Sequence, residues 1–178
     1  MSSVWQQISS TVIVEFSDLK DVAEITRIST RLLMAALLGG ILGFEREQRG
    51  KAAGIKTHML VSIGSAFFVL IPQQAGISDA ELSRVVQGVI AGIGFLGAGA
   101  ILKGENEKNL KGLTTAASIW LTAAIGVAAG LGRESSAMLC TFLALLVLVI
   151  VPKFINLIDH KEKELDHKEK ELDHNAKQ

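Results

Sequence analysis

The sequence predicts an all-α membrane protein: a polytopic bundle of about five transmembrane helices, with an N-terminal interfacial helix and a charged C-terminal helical tail. Three observations carry that prediction. Residues 57–78, 85–102, 112–132 and 135–152 contain no Lys, Arg, Asp or Glu, and residues 28–44 contain only Arg31 before the charged edge at Glu45. Each run reaches the roughly 17–25 residues a helix needs to cross hydrocarbon. The chain is 49% apolar with a mean hydropathy of +0.38, yet it balances 18 basic against 18 acidic side chains. Charge and apolarity are therefore segregated: all 17 glycines fall between Gly39 and Gly132, and residues 159–178 hold twelve of the charges. Zero net charge argues against a basic nucleic-acid binder and against a disordered acidic chain. A single cysteine, Cys140, excludes an internal disulfide framework and a Cys-rich zinc site.

Residues 1–24 form the first segment. They lack the basic start and the unbroken apolar core of a cleaved signal peptide. Ile8, Val12, Phe16 and Leu19 recur at helical spacing while Glu15, Asp18 and Asp21 fall elsewhere, which fits a helix lying in the membrane interface. A disordered leader is the alternative. The transmembrane domain is placed at 25–154. In lipid, helices associate through close backbone approach and hydrogen bonds, so small residues mark contact faces. The first span repeats Ala35, Gly39 and Gly43, with Arg31 snorkelling from its end. The second begins at Thr57, with His58 one residue in, near the cytoplasmic surface. The third carries Gly88, Gly92 and Gly99 on one face and Gly94 and Gly97 towards another, so it is expected at the centre of the bundle. The fourth aligns Thr115, Ser118, Thr122 and Gly126, a stripe suited to a hydrogen-bonded interface or a polar crevice. The fifth is bulky all round, has no glycine, and is expected to face lipid.

The last segment, 155–178, repeats Asp-His-Lys-Glu-Lys-Glu-Leu at 159–165 and 166–172. His160, His167 and His174 are spaced by seven, a rise of about 10.5 Å on a helix, too far for one chain to chelate one ion. Asp159–Lys163 and Glu164–Lys168 support a solvated helix modestly. Lys and Arg set the orientation. Arg46, Arg49, Lys51, Lys56, Lys103, Lys108, Lys111 and Lys153 fall on one side; Lys20, Arg27, Arg31, Arg84 and Arg133 fall on the other. The richer side and the C-terminus are expected in the cytoplasm, with the N-terminus and Arg84 outside.

Gly92-Ile-Gly94-Phe-Leu-Gly97 spells the dinucleotide fingerprint G-x-G-x-x-G. It sits inside an uncharged span with no preceding strand and no acidic residue about 20 positions on, so helix packing is the reading. Cys140 has no base nearby, and no nucleophile–base grouping or paired carboxylate stands out. Neither an enzyme nor a cofactor or metal site is expected. Glu45, Arg46 and Arg49 are more informative. They act either as interface anchors or, with Lys56, Thr57, Thr114 and Thr115, as a functional cytoplasmic surface.

Three blocks resemble the MgtC/SapB family of bacterial inner-membrane proteins. They are Gly43-Phe-Glu45-Arg46-Glu-Gln-Arg49-Gly-Lys-Ala-Ala-Gly54-Ile-Lys-Thr57 continuing to Gly64; Arg84-Val-Val-Gln-Gly88 through Gly92, Gly94, Gly97 and Gly99; and Gly112-Leu-Thr114-Thr115-Ala-Ala-Ser-Ile-Trp120 through Gly126 and Gly130. The resemblance implies a multi-helix membrane domain linked to adaptation to low magnesium and acid stress, and to virulence. It further implies, for some members, regulation of membrane energetics, the F-type ATP synthase included, rather than magnesium carriage. Longer members continue into a soluble ACT-like domain where this chain has the duplicated tail, so a function dependent on that domain is not expected here. The family's Asp-Pro before the second-block arginine is replaced by Glu81-Leu82-Ser83-Arg84, which weakens an acid-assisted role for Arg84.

Two functions compete. The first is a regulator that binds lipid, other integral membrane proteins and, in a homo-oligomer, a second copy of itself. The second is a transporter or channel for magnesium, another cation or a small solute. A transport pathway usually carries ionisable residues at mid-depth. Here only Arg31 and His58 qualify, both near span ends, which favours the regulator.

Overall fold

The computed structural model describes residues 3–16, 21–103 and 110–175; for 102, 103, 110, 156, 157 and 159–175 the backbone alone is described. The order is α1 (Val4–Glu15), α2 (Val22–Gln48), α3 (Ile55–Gln74), α4 (Asp79–Gly99), β1 (Leu102–Lys103), β2 (Leu110–Lys111), α5 (Leu113–Gly130) and α6 (Glu134–Asn175). Helices α2 to α5 and the first part of α6, Glu134–Ile155, are long and apolar enough to cross a membrane, as the sequence predicts. The chain divides into two units, Met1–Met138 and Leu139–Gln178. The second unit is the body of α6, which continues through Pro152 as helix. The three tail histidines and their ion pairs concern side chains outside the described residues, as do Lys103, Lys108, Asp18, Leu19 and Lys20.

Helix ends lie where hydrogen bonds can be closed off rather than where charge begins. Ser3 and Gln6 form a capping box on α1, and Ser78 and Glu81 form another on α4, each satisfying two backbone donors of the first turn. Asp21 caps α2 by accepting from the Ala23 N–H. At their other ends α2, α3 and α5 share one device. Gly50, Gly76 and Gly132 take positive φ, and the next residue donates back across the turn: Lys51 to Arg46, Ile77 to Pro72, Arg133 to Ala128. This is the Schellman closure, which glycine permits without a Cβ penalty. Consequently α2 runs through Glu24, Arg27, Glu45 and Arg46, well beyond the apolar run 28–44. β1 and β2 pair antiparallel, Leu102 with Lys111, as a short ribbon that the sequence did not disclose.

α3 and α5 form the centre of the first unit, with α2 packed on both and α4 resting on α5 and, less extensively, on α3. The core is small: where these helices pack, Ala35, Leu38 and Leu42 of α2, Ala66, Val69 and Leu70 of α3, and Ile125 and Ala129 of α5 are buried. Glycine sets the spacing. A Cβ at Gly39 would lie 2.7 Å from His58 O and 2.8 Å from Ser62 Cβ; at Gly43, 2.6 Å from Ile55 Cα; at Gly126, 2.9 Å from Ser62 Cα. Gly130 meets Ala66 in the same way, a contact missing from the packing set expected above. At the far end of the unit Arg31 does not snorkel freely: its Nη1 donates to Gln73 Oε1 at 2.8 Å and to Gly130 O at 2.9 Å, tying α2 to α3 and to the last turn of α5.

The expected centre is corrected. α4 buries only Ile93 and Gly97, and Gly97 merely touches Ala116 Cβ at 3.7 Å. Gly88, Gly92, Gly94 and Gly99 have nothing within 4 Å of a Cβ, so among the described residues they are not close helix contacts. Glycine spacing marks where a backbone can be approached, not that the same chain approaches it. Alongside lies an open apolar groove of about 600 Å³ between α3 and α4, with Leu60, Phe68, Val85 and Leu96 among its walls.

Candidate functional site

The residues that combine charge, burial and unusual hydrogen bonding gather where α2 ends, α3 begins and α5 begins. Close approach creates the site. Because Gly39 and Gly43 have no side chains, the α3 backbone from Gly54 to His58 lies directly on α2, and His58 is enclosed completely. Its Nδ1 is 3.0 Å from Gly54 O and its Nε2 is 3.3 Å from Ser118 Oγ on α5. Ser118 Oγ donates to Thr115 O at 2.8 Å, and Thr122 Oγ1 donates to Ser118 O at 2.8 Å. Thr115, Ser118 and Thr122 are all buried, so the polar stripe is an interface with α3 rather than an open crevice.

The α2 terminus adds charge. Glu45 pairs with Arg49 one turn on, and Arg46 Nη1 lies 3.6 Å from Glu45 Oε2. Arg46 is 2% exposed, and its Nε and Nη2 make no hydrogen bond. Both Glu45 carboxylate oxygens likewise lack a hydrogen bond, as does the buried Ser62 Oγ one turn above His58. Burying a guanidinium without full pairing costs several kcal/mol, on the order of the desolvation penalty for one ion. Glu47 takes a structural part: its Oε2 accepts the Ile55 N–H at 2.8 Å, capping α3 where Gly54 offers no side chain.

The expected surface therefore separates into two sets. Arg49, Lys56, Thr57 and Thr114 are exposed. Glu45 is largely covered, and Arg46 and Thr115 are interior, contrary to their placement on a surface. The reason is helical periodicity: Ala35, Gly39, Leu42, Gly43 and Arg46 fall on one face of α2, so the packed stripe extends one turn past the glycines. His58, read as near the surface, belongs to the site for the same reason, since His58, Ser62, Ala66 and Val69 line the buried face of α3. Both spacings stood in the sequence. Arg84 is exposed in the second turn of α4, and the structure gives it no part in this cluster. Among the described residues no three His, Cys, Asp or Glu side chains come together as a metal set would.

Comparison with known proteins agrees with this architecture. The family model described as "MgtC family" matches residues 32–157. Protein SrpB of Synechococcus elongatus is 46% identical over 132 residues, covering 68% of this chain and 72% of that protein. The Escherichia coli protein named "Putative magnesium transporter YhiD" is 42% identical over 126 residues, covering 66% of this chain and 57% of that one. Protein MgtC of Brucella abortus is 39% identical over 125 residues, 70% of this chain but 51% of its own length. The chain thus spans between about half and three quarters of these relatives. No solved structure matches. With the family model covering most of the chain and every transmembrane helix inside or overlapping the match, the protein belongs to the MgtC family.

Proposed function

We propose that this protein is a non-enzymatic regulator of the bacterial inner membrane, acting through contacts with other integral membrane proteins in adaptation to low magnesium, acid stress or the host environment. In this reading the end bearing Arg46 faces the cytoplasm together with the C-terminus, and the N-terminus lies outside, following the distribution of Lys and Arg. The link to magnesium rests on family membership and on the printed name of the Escherichia coli relative.

The observation that carries the reading is the closure of the polar seam. Among the buried polar groups at depth in α3 and α5, Ser62, Ser118 and Thr122 are sealed along the α3–α5 seam, while Ser65 borders the apolar α3–α4 groove. Conduction along the seam would require those helices to part where Gly126 rests against the Ser62 backbone. The described charged residues of α2, α3 and α5 fall towards the two ends of the bundle, Glu24, Arg27 and Arg31 at one and Glu45, Arg46, Glu47 and Lys56 at the other. Conversely, α4 offers an apolar, glycine-rich face flanked by exposed Phe95 and Leu96, the kind of face to which another helix packs closely in lipid. The F-type ATP synthase enters as one candidate partner through family resemblance alone.

A photo-crosslinking residue at Phe95 or Leu96 tests the contact directly in native membranes. One reproducible protein adduct, formed from α4 positions and not from Leu33 on the outside of α2, is the expected result. Adducts to lipid alone from every α4 position would overturn the proposal.

A further inference from the structure

The hydrogen-bond polarity around His58 can be worked out from donors and acceptors alone. Gly54 O can only accept, so His58 Nδ1, 3.0 Å away, must carry a hydrogen. The neutral ring is then the Nδ1–H tautomer, with a bare Nε2 facing Ser118 Oγ at 3.3 Å. Ser118 has one hydroxyl hydrogen and two acceptors within reach, His58 Nε2 and Thr115 O. Thr115 O lies inside α5, where the helix ladder already supplies a backbone donor, so losing the hydroxyl does not orphan it.

Two complete arrangements follow. With the ring neutral, Ser118 donates to Nε2. With a proton on Nε2, the ring donates to Ser118 Oγ, and the hydroxyl turns its hydrogen to Thr115 O. Every polar atom of the His58–Ser118–Thr115 set is paired in both. A buried imidazole between fixed partners lacks this latitude, because a change of charge sets donor against donor or lone pair against lone pair.

The ring is fully buried, and charges of both signs face it. From α2, Glu45 and Arg46 act on it with opposite sign. From α5 it meets the uncharged Ser118 and Thr115, and on α3 the nearest charge, Lys56, is exposed.

We infer that His58 is a reversible proton-binding site at the α2–α3–α5 junction, with the Ser118 hydroxyl as the rotor that serves both charge states. Proton uptake places a second positive charge near Arg46, in the junction that Gly39 and Gly43 hold closed. The charge state of one ring thereby bears on how firmly the three helices meet at this end. The inference stands apart from the choice between regulator and transporter.

The test uses the full chain in lipid nanodiscs with His160, His167 and His174 changed to Gln, so that His58 is the sole imidazole. Ring ¹⁵N shifts are followed across about pH 5 to 8, where histidine ordinarily changes charge. The expected result is an Nδ1–H ring with bare Nε2 at the upper end, and a ring protonated on both nitrogens at the lower end, in one reversible step with the fold retained. An Nε2–H neutral ring, or no second proton across the range, overturns the inference. Ser118→Ala keeps the Gly54 bond and so the neutral tautomer, but gives the protonated ring no acceptor. Protonation should then coincide with loss of native amide shifts, and Ser118→Thr should restore the reversible step. Wild-type titration in Ser118→Ala with the fold intact would refute the rotor.

Discussion

Gly39 and Gly92 are both helical glycines at small-residue spacing, and the structure assigns them opposite consequences on substitution. At Gly39 an alanine methyl would stand 2.7 Å from His58 O and 2.8 Å from Ser62 Cβ. Ordinary contact begins near 3.4 Å, so α2 and α3 must separate by about 0.7 Å. The nearer neighbour is backbone and cannot swing aside. Overpacking of this kind costs about 1–3 kcal/mol, against which alanine returns up to about 1 kcal/mol of helix propensity. The net expectation is a loss of about 1–2 kcal/mol, or a fall in Tm of about 2–8 °C for a chain of this size. At Gly92 nothing lies within 4 Å, so the methyl enters open space and stability should hold or rise slightly. Thermal unfolding in one detergent, followed by Trp fluorescence, compares Gly39→Ala and Gly92→Ala with wild type. The reasoning is refuted if Gly39→Ala melts with wild type, or if Gly92→Ala falls as far as Gly39→Ala.

Other perturbations separate the two ends of the bundle. Arg31→Met removes donors to Gln73 Oε1 and Gly130 O and should cost about 1–3 kcal/mol in the same melts, with membrane insertion unchanged; an unaltered Tm would return Arg31 to the snorkelling class. Arg46→Ala removes a buried charge beside Glu45 and should lower stability by about 1–3 kcal/mol as well as impair function, whereas Lys56→Ala, on the exposed rim, should leave the Tm within about 0.5 kcal/mol of wild type. Gly112→Ala should destabilise the turn between ribbon and α5, since φ is +96° there and a Cβ would lie 3.2 Å from Ile101 Cα; unchanged proteolytic resistance of the 100–114 segment would contradict this.

The spans were legible because an uncharged run can be measured against bilayer thickness, and no other soluble or fibrous pattern explains five of them. Their ends were less so. Charge marks where lipid stops, while hydrogen-bond closure decides where the helix stops, so α2 continues through Glu45 and Arg46 to the turn at Gly50. Glycine spacing located close approach at Gly39, Gly43 and Gly126, but it reads the same at Gly88 and Gly92, where among the described residues nothing comes within 4 Å of a Cβ. Arg46 was placed on a surface because a charge beside a membrane edge is normally solvated; the buried stripe that contains it overrules that expectation, and His58, expected near the span's end, lies there but faces inward. The ribbon at 102–103 and 110–111 has two residues per strand, too few for any alternation to register.

The central claim is that this protein acts by contact and does not conduct through its α3–α5 seam. Magnesium entry into proteoliposomes containing only this protein, followed with an internal indicator under an inward gradient, tests it most directly. The account predicts entry no faster than in protein-free vesicles, in wild type and in Thr122→Ala alike. Saturable entry that requires the protein and is altered by Thr122→Ala would contradict it.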